Sequence, residues 1–120
     1  MERLTRSADF KRVRDKGKSY SHPLVVLIVL PKDADSSSRF GISAGWSVGN
    51  AVKRNRAKRL LRSALLTLQH SSLLIPILNG WDIVFLARRP ILSMKCQKVQ
   101  EAILILFAKA HLLDVEHGNN

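Results

Sequence analysis

From Asn50 to Leu68 the chain combines an apolar stripe with a polar surface made of cations. Ala57, Leu60, Leu61, Ala64, Leu65 and Leu68 recur at helical spacing. At about 100° per residue, Asn55, Lys58, Arg59 and Arg62 fan out on the opposite side. Asn50 stands where a side-chain oxygen can cap the first turn. Such a helix must lay its stripe on an apolar surface, and short β-branched runs flank it. Leu24 to Leu30 and Arg39 to Ala44 precede it, and Asp82 to Ala87 follows it. The expected kernel is a strand–helix–strand unit, which places the chain in the α+β class.

The polar side of this helix has a cost. Lys53, Arg54, Arg56, Lys58, Arg59 and Arg62 give six cations and no anion between Gly49 and Arg62. Like charges at i,i+3 and i,i+4 destabilise a helix by tenths of a kcal/mol per pair. An external polyanion would relieve that repulsion, and nucleic-acid phosphate is the first candidate. The charge is also concentrated. Seven cations and no acid lie between Arg39 and Leu68, whereas the rest of the chain holds 13 basic and nine acidic residues. A solvated surface face explains most charge runs, but not one lacking every acid. A helix lying on anionic lipid needs large apolar groups free to insert, and this stripe is Ala/Leu at core spacing.

The bulk numbers agree with one domain. The chain has 120 residues, 46% hydrophobic content and a net charge of +11, enough length to bury about two-thirds of its unfolded surface. Residues 1–113 read as the folded RNA-binding domain and 114–120 as a frayed tail. The lone Cys96 permits no internal disulfide and suits a reducing compartment. The opening residues lead into charge rather than an apolar run, and the longest apolar stretch, Leu24 to Leu30, is far below the roughly 20 residues that span a bilayer. A cytoplasmic protein with no membrane partner is expected.

Around the kernel, Ser7 can cap a short helix from Ala8 to about Lys16, and Gly17 can stop it in a left-handed conformation. Tyr20 suits a short strand before Pro23. Leu24 to Leu30 and Arg39 to Ala44 are expected to pair as a hairpin across a polar loop. Gln69 to Gly80 reads as a loop, with Leu73, Leu74 and Ile75 packing beneath it. A long helix is expected from Met94 to about Leu113, with Val99, Ala102, Ile103, Leu106, Phe107 and Ala110 at helical spacing and Leu104, Ile105 and Leu112 widening its apolar surface. The order is αββαβα.

Catalytic constellations are poor. His22, His70, His111 and His117 are scattered, with no H-x-x-x-H spacing. The carboxylates are dispersed apart from Asp33 and Asp35 in a loop, whereas a two-metal nuclease needs several acidic ligands converging. No Walker-type glycine loop is present. An RNA-binding role fits better than autonomous nuclease chemistry. Among aromatics, Phe40, Phe85 and Phe107 read as core and Trp81 as packing. Trp46, in a turn beside the basic helix, is harder to explain by burial.

The order and spacing of these residues resemble one family closely. Arg39-Phe40-Gly41-Ile42-Ser43, then Gly49-Asn50-Ala51-Val52, then Arg54-Asn55-Arg56-Ala57-Lys58-Arg59-Leu60-Leu61-Arg62 look like the signature of the bacterial ribonuclease P protein subunit. Arg3-Leu4, Asp9-Phe10, Val13 and Gly17, with Asp82-Ile83-Val84, Ala87-Arg88 and Pro90, extend the likeness over nearly the whole chain. The resemblance implies a two-layer α/β sandwich of order αββ(β)αβα, ribosomal-protein-S5-domain-2-like, with a left-handed βαβ crossover against the usual rule. It implies an endoribonuclease holoenzyme that removes the 5′ leader of precursor tRNA. Its chemistry is carried by ribonuclease P RNA and RNA-held Mg2+, with one protein per RNA and no cofactor site on the protein. Implied contacts to the ribozyme are Asn50, Lys53, Arg54, Asn55, Arg56, Lys58, Arg59 and Arg62. The implied leader cleft holds Phe10, Arg14, Leu24, Leu27 and Trp46. The chain departs from the family pattern by placing Trp46 and Ser47 where lysines are common. It also has Arg14 in place of a second cleft aromatic, and Leu24 and Leu27 in place of strand aromatics. A ribosomal or other RNA-assembly protein of similar fold is the alternative.

Overall fold

Alternation along two strands sets the layering. In β3 (Val25–Pro31), Val25, Leu27 and Val29 join the main core, while Val26, Ile28 and Leu30 join a smaller second core. In β5 (Trp81–Ala87), Ile83, Phe85 and Ala87 face the first and Val84 and Leu86 the second. Strands apolar on both faces belong in the middle of a covered sheet, and these two are neighbours there. A computed structural model describes residues 2–112, so the proposed tail at 114–120 and the helix end at Leu113 lie outside the described residues.

The remaining elements are β1 (Glu2–Arg3), α1 (Ser7–Lys16), β2 (Lys18–Ser21), β4 (Arg39–Ala44), α2 (Ala51–Leu68) and α3 (Cys96–Lys109). Short 3-10 turns cover Trp46–Val48, Ser72–Ile77 and Arg89–Ser93. The five-stranded sheet runs β1-β4-β5-β3-β2. β4 is parallel to β1 and β5, and the β5–β3 and β3–β2 pairs are antiparallel. The main sandwich is the sheet against α2 and α3, whose Ala57, Leu61, Leu65, Ile103, Leu106 and Phe107 are buried. The Phe85 and Phe107 rings meet edge to face at 5.9 Å. α1 partly covers the reverse face through Val13 and Phe10.

Several sequence expectations need correction. β3 and β4 do not form a hairpin, because β5 lies between them. The strand with the most complete burial takes the centre, and the α2 crossover delivers it parallel to β4. Ser7 does not cap α1; it is the first helical residue, and Arg6 occupies the cap position without a side-chain bond. Gly17 is extended, with φ −79° and ψ 167°. Its role is steric: a Cβ there would meet the Val13 carbonyl oxygen at 2.5 Å and the Val29 carbonyl oxygen at 2.9 Å. The Gln69–Gly80 connection contains the turn Ser72–Ile77, where Leu74 and Ile77 are buried while Leu73 is at the surface. α3 starts at Cys96 rather than Met94, and Ile105 on it is exposed. Cys96 is a half-buried free thiol.

β4 and α2 match their expected limits. The Asn50 side chain accepts the Lys53 backbone N–H at 3.0 Å, which fixes the first turn of α2.

Candidate nucleic-acid interface

The stripe of α2 is satisfied by the sheet, so its other residues must face outward. Lys53, Asn55, Arg56 and Arg59 are exposed, and Arg54, Lys58 and Arg62 are half-buried. Among the described residues none of these six cations meets a carboxylate. Asp15 and Glu101 serve Lys11 and Lys98, and Asp9 and Asp82 serve Arg12, Arg39 and Lys32. Val52, Asn55, Lys58, Arg59 and Arg62 line an open groove of about 420 Å³ along α2. The Arg62 Nε is buried and meets no acceptor among the described residues.

A second open groove, about 290 Å³, lies between α1 and the end of β4 and is lined by Ser7, Phe10, Arg14, Ile42, Ser43, Ala44 and Lys58. Lys58 therefore borders both grooves. Phe10 and Arg14 sit on one side of α1 and come together here, as the resemblance implies. Leu24 and Leu27 do not. Both are buried in the main core, on the face covered by α2 and α3. Within β3 the period of two gives the α1 face to Val26, Ile28 and Leu30 and turns Leu27 away from it, while Leu24 precedes the strand and lies outside that alternation. Trp46 is also outside this lining, in the turn beyond β4, and is 86% exposed.

Gly41 fits Phe10 to its groove. A Cβ at Gly41 would lie 2.5 Å from the Phe10 Cζ and 3.1 Å from the Leu4 Cβ. Gly41→Ala should expel the ring, costing about 1–3 kcal/mol in urea unfolding and reshaping the groove. A variant as stable as the parent would show that the ring is not seated there.

Sequence reasoning missed an ion cluster beneath the α1 face. Arg39 Nε and Nη2 donate to the two Asp82 oxygens at 3.0 and 2.9 Å. Arg12 Nη2 donates to Asp82 Oδ2 at 2.8 Å and to Asp9 Oδ1 at 3.1 Å. Burial alone would raise the Asp82 pKa, but the bonds from Arg39 and then Arg12 outweigh it and hold the carboxyl at about 2. Arg39, the first cation of the acid-free stretch, is thus a structural cation rather than part of the unopposed charge. The available signal was Asp82 itself, a lone acid opening an apolar strand, which burial obliges to find partners.

The donor set does not make a metal centre: among the described residues no three His, Cys, Asp or Glu side chains cluster. Asp9 and Asp82 are already engaged by arginines.

A family model for Ribonuclease P matches residues 1–111. The chain belongs to the ribonuclease P protein family. A ribonuclease P protein component from Dehalococcoides mccartyi is 37% identical over 111 residues, covering 92% of this chain and 86% of that protein. One from Herpetosiphon aurantiacus is 38% identical over 111 residues, covering 92% and 85%. Among solved structures, the RNase P protein of Staphylococcus aureus superposes with a TM-score of 0.74 at 27% identity, covering 95% of this chain and 99% of that one. The Thermotoga maritima RNase P protein gives 0.72 at 28%, covering 91% and 97%. In this ribonuclease P protein the widely separated Asp9, Arg39 and Asp82 meet in one ion cluster. Those three motif fragments therefore support the fold, and the α2 fragment supplies the exposed charge.

Proposed function

We propose that α2 is the face on which ribonuclease P RNA is held, and that the Phe10 groove receives the single-stranded 5′ leader of precursor tRNA. The chain serves as the protein component of the ribonuclease P endoribonuclease, with its chemistry carried by the RNA and the magnesium ions that RNA holds. The observation that carries this reading is the unopposed charge of α2: six cations beside a groove, with no carboxylate against them among the described residues. Family membership sets aside the ribosomal-protein alternative.

The protein's part is electrostatic and positional. Two polyanions, ribozyme and substrate, repel each other, and cations between them lower that repulsion. Asn50, Lys53, Arg54, Asn55, Arg56, Lys58, Arg59 and Arg62 meet the ribozyme. Phe10 offers a ring edge or face to a leader base, Arg14 a cation to its backbone. Lys58, bordering both grooves, stands where the two RNAs come nearest. Binding of one protein per RNA, in the cytoplasm, completes the reading; no helix among the described residues is long and apolar enough to cross a membrane.

Reconstitution tests it. Adding the protein to a bacterial ribonuclease P RNA at low magnesium should accelerate leader removal from precursor tRNA over RNA alone. No acceleration, with the RNA correctly folded, would refute the assignment.

A further inference from the structure

Trp46 is the most exposed of the large apolar side chains among the described residues. Its ring is nevertheless held in place. The Arg54 guanidinium carbon lies 4.5 Å from the ring centroid, stacked on one face. Arg54 Nη1 in turn donates to the Gly49 carbonyl at 2.8 Å, and the Gly49 N–H donates to the Trp46 carbonyl at 3.1 Å. Gly49 adopts φ +137°, a conformation that L side chains rarely take, so the corner is specific to glycine. An indole, a guanidinium and a fixed backbone corner thus form one unit, with the second ring face open.

We infer that the Trp46–Arg54 pair is a stacking platform for an unpaired RNA base. The inference rests on the RNA-binding reading above and adds a base contact to what is otherwise a phosphate-binding surface. The exposed ring does little for the fold. A cation–π contact in water is worth only about 0.5–1 kcal/mol, so the pairing chiefly orients the plane. An oriented aromatic plane with one free face is what base stacking requires. The surroundings select the occupant. Trp46 precedes a helix bearing six cations that no described carboxylate opposes, so an anionic chain is drawn to it. The base can come from the ribozyme or from the leader.

The experiment separates these sources. In a Trp81→Phe background Trp46 is the sole tryptophan. Its emission is followed during titration with ribonuclease P RNA and, separately, with a single-stranded leader oligonucleotide. Quenching by one of them is expected and names the source. In the otherwise unaltered chain, Trp46→Ala should lower affinity for that RNA roughly tenfold, and Trp46→Phe should retain most of it. The log–log salt slope should not change, because an uncharged ring releases no counterions. Binding of both RNAs without any change in Trp46 emission would overturn the platform, as would an unchanged Trp46→Ala affinity. Either result leaves the α2 reading standing. Failure of the unsubstituted chain to bind either RNA would remove both.

Discussion

Asp82→Asn is expected to lower the unfolding free energy by about 3 kcal/mol. Removing one partner of a buried ion pair usually costs about 3–5 kcal/mol, because the remaining charge is left uncompensated. Here the stranded charges are Arg39, Arg12 and Lys32, whose side chains are 30%, 36% and 22% exposed. Water can partly resolvate them, which favours the lower end. A loss of this size in a domain of about 100 residues shifts Tm by roughly 10–20 °C. The same carboxylate predicts an acid limb. Its folded-state pKa, about 2, lies below the ordinary 3.8, so the folded protein binds fewer protons than the unfolded one. The corresponding stability is complete above the ordinary carboxylate range and is lost as pH falls from about 4 towards 2. The shift is worth about 2 kcal/mol, and Asp82→Asn should lack that dependence. Urea midpoints for parent and variant at pH 7 and pH 3 check both statements. Midpoints that coincide at pH 7 would show that Asp82 does not anchor β3, β4 and α1.

The opposite pattern is expected on α2. Lys58→Ala, Arg59→Ala and Arg62→Ala combined should weaken binding to ribonuclease P RNA on the order of a hundredfold or more, at about 1–3 kcal/mol per charge-assisted contact. Stability should change little. Lys58 and Arg59 have no carboxylate partner among the described residues, the Arg62 Nε has no acceptor among them either, and relief of like-charge repulsion offsets lost packing of the side-chain stems. Loss of stability comparable to Asp82→Asn would make these side chains structural. The two variants thus separate the cations of the chain by role. Arg12 and Arg39 hold the sheet to α1, and the α2 cations are the ones proposed to hold RNA.

The parts of the fold readable from sequence were those with a strong local signal. α2 has its cap, its stripe and a turn before it, and its limits were visible. β4 and β5 are short apolar runs between breakers and were equally clear. β1 was missed because two exposed residues, Glu2 and Arg3, carry no periodicity; only their pairing with Arg39 and Phe40 makes them a strand. The pairing of β3 with β5 rather than β4 depends on which strand needs the most burial, a comparison across the whole chain. At the site, the charged half was legible because charge stays where sequence puts it when nothing neutralises it. The pairing of Arg39 with Asp82 was not legible, because the two lie 43 residues apart in sequence. Leu27 was misplaced because the face of a buried strand is set by register, and apolar residues on both faces hide it. Leu24 was misplaced because β3 begins only at Val25, so its side chain does not follow the strand's alternation.

The measurement closest to the central claim is the salt dependence of ribonuclease P RNA binding, for the parent and the Lys58/Arg59/Arg62 alanine variant side by side. Log affinity should fall linearly with log salt in the parent. The slope should shrink by about one unit for each phosphate contact removed, so by roughly two to three units in the variant. Parallel lines for the two proteins would contradict the account, because they would mean that the exposed charges of α2 never meet the phosphates of the ribozyme.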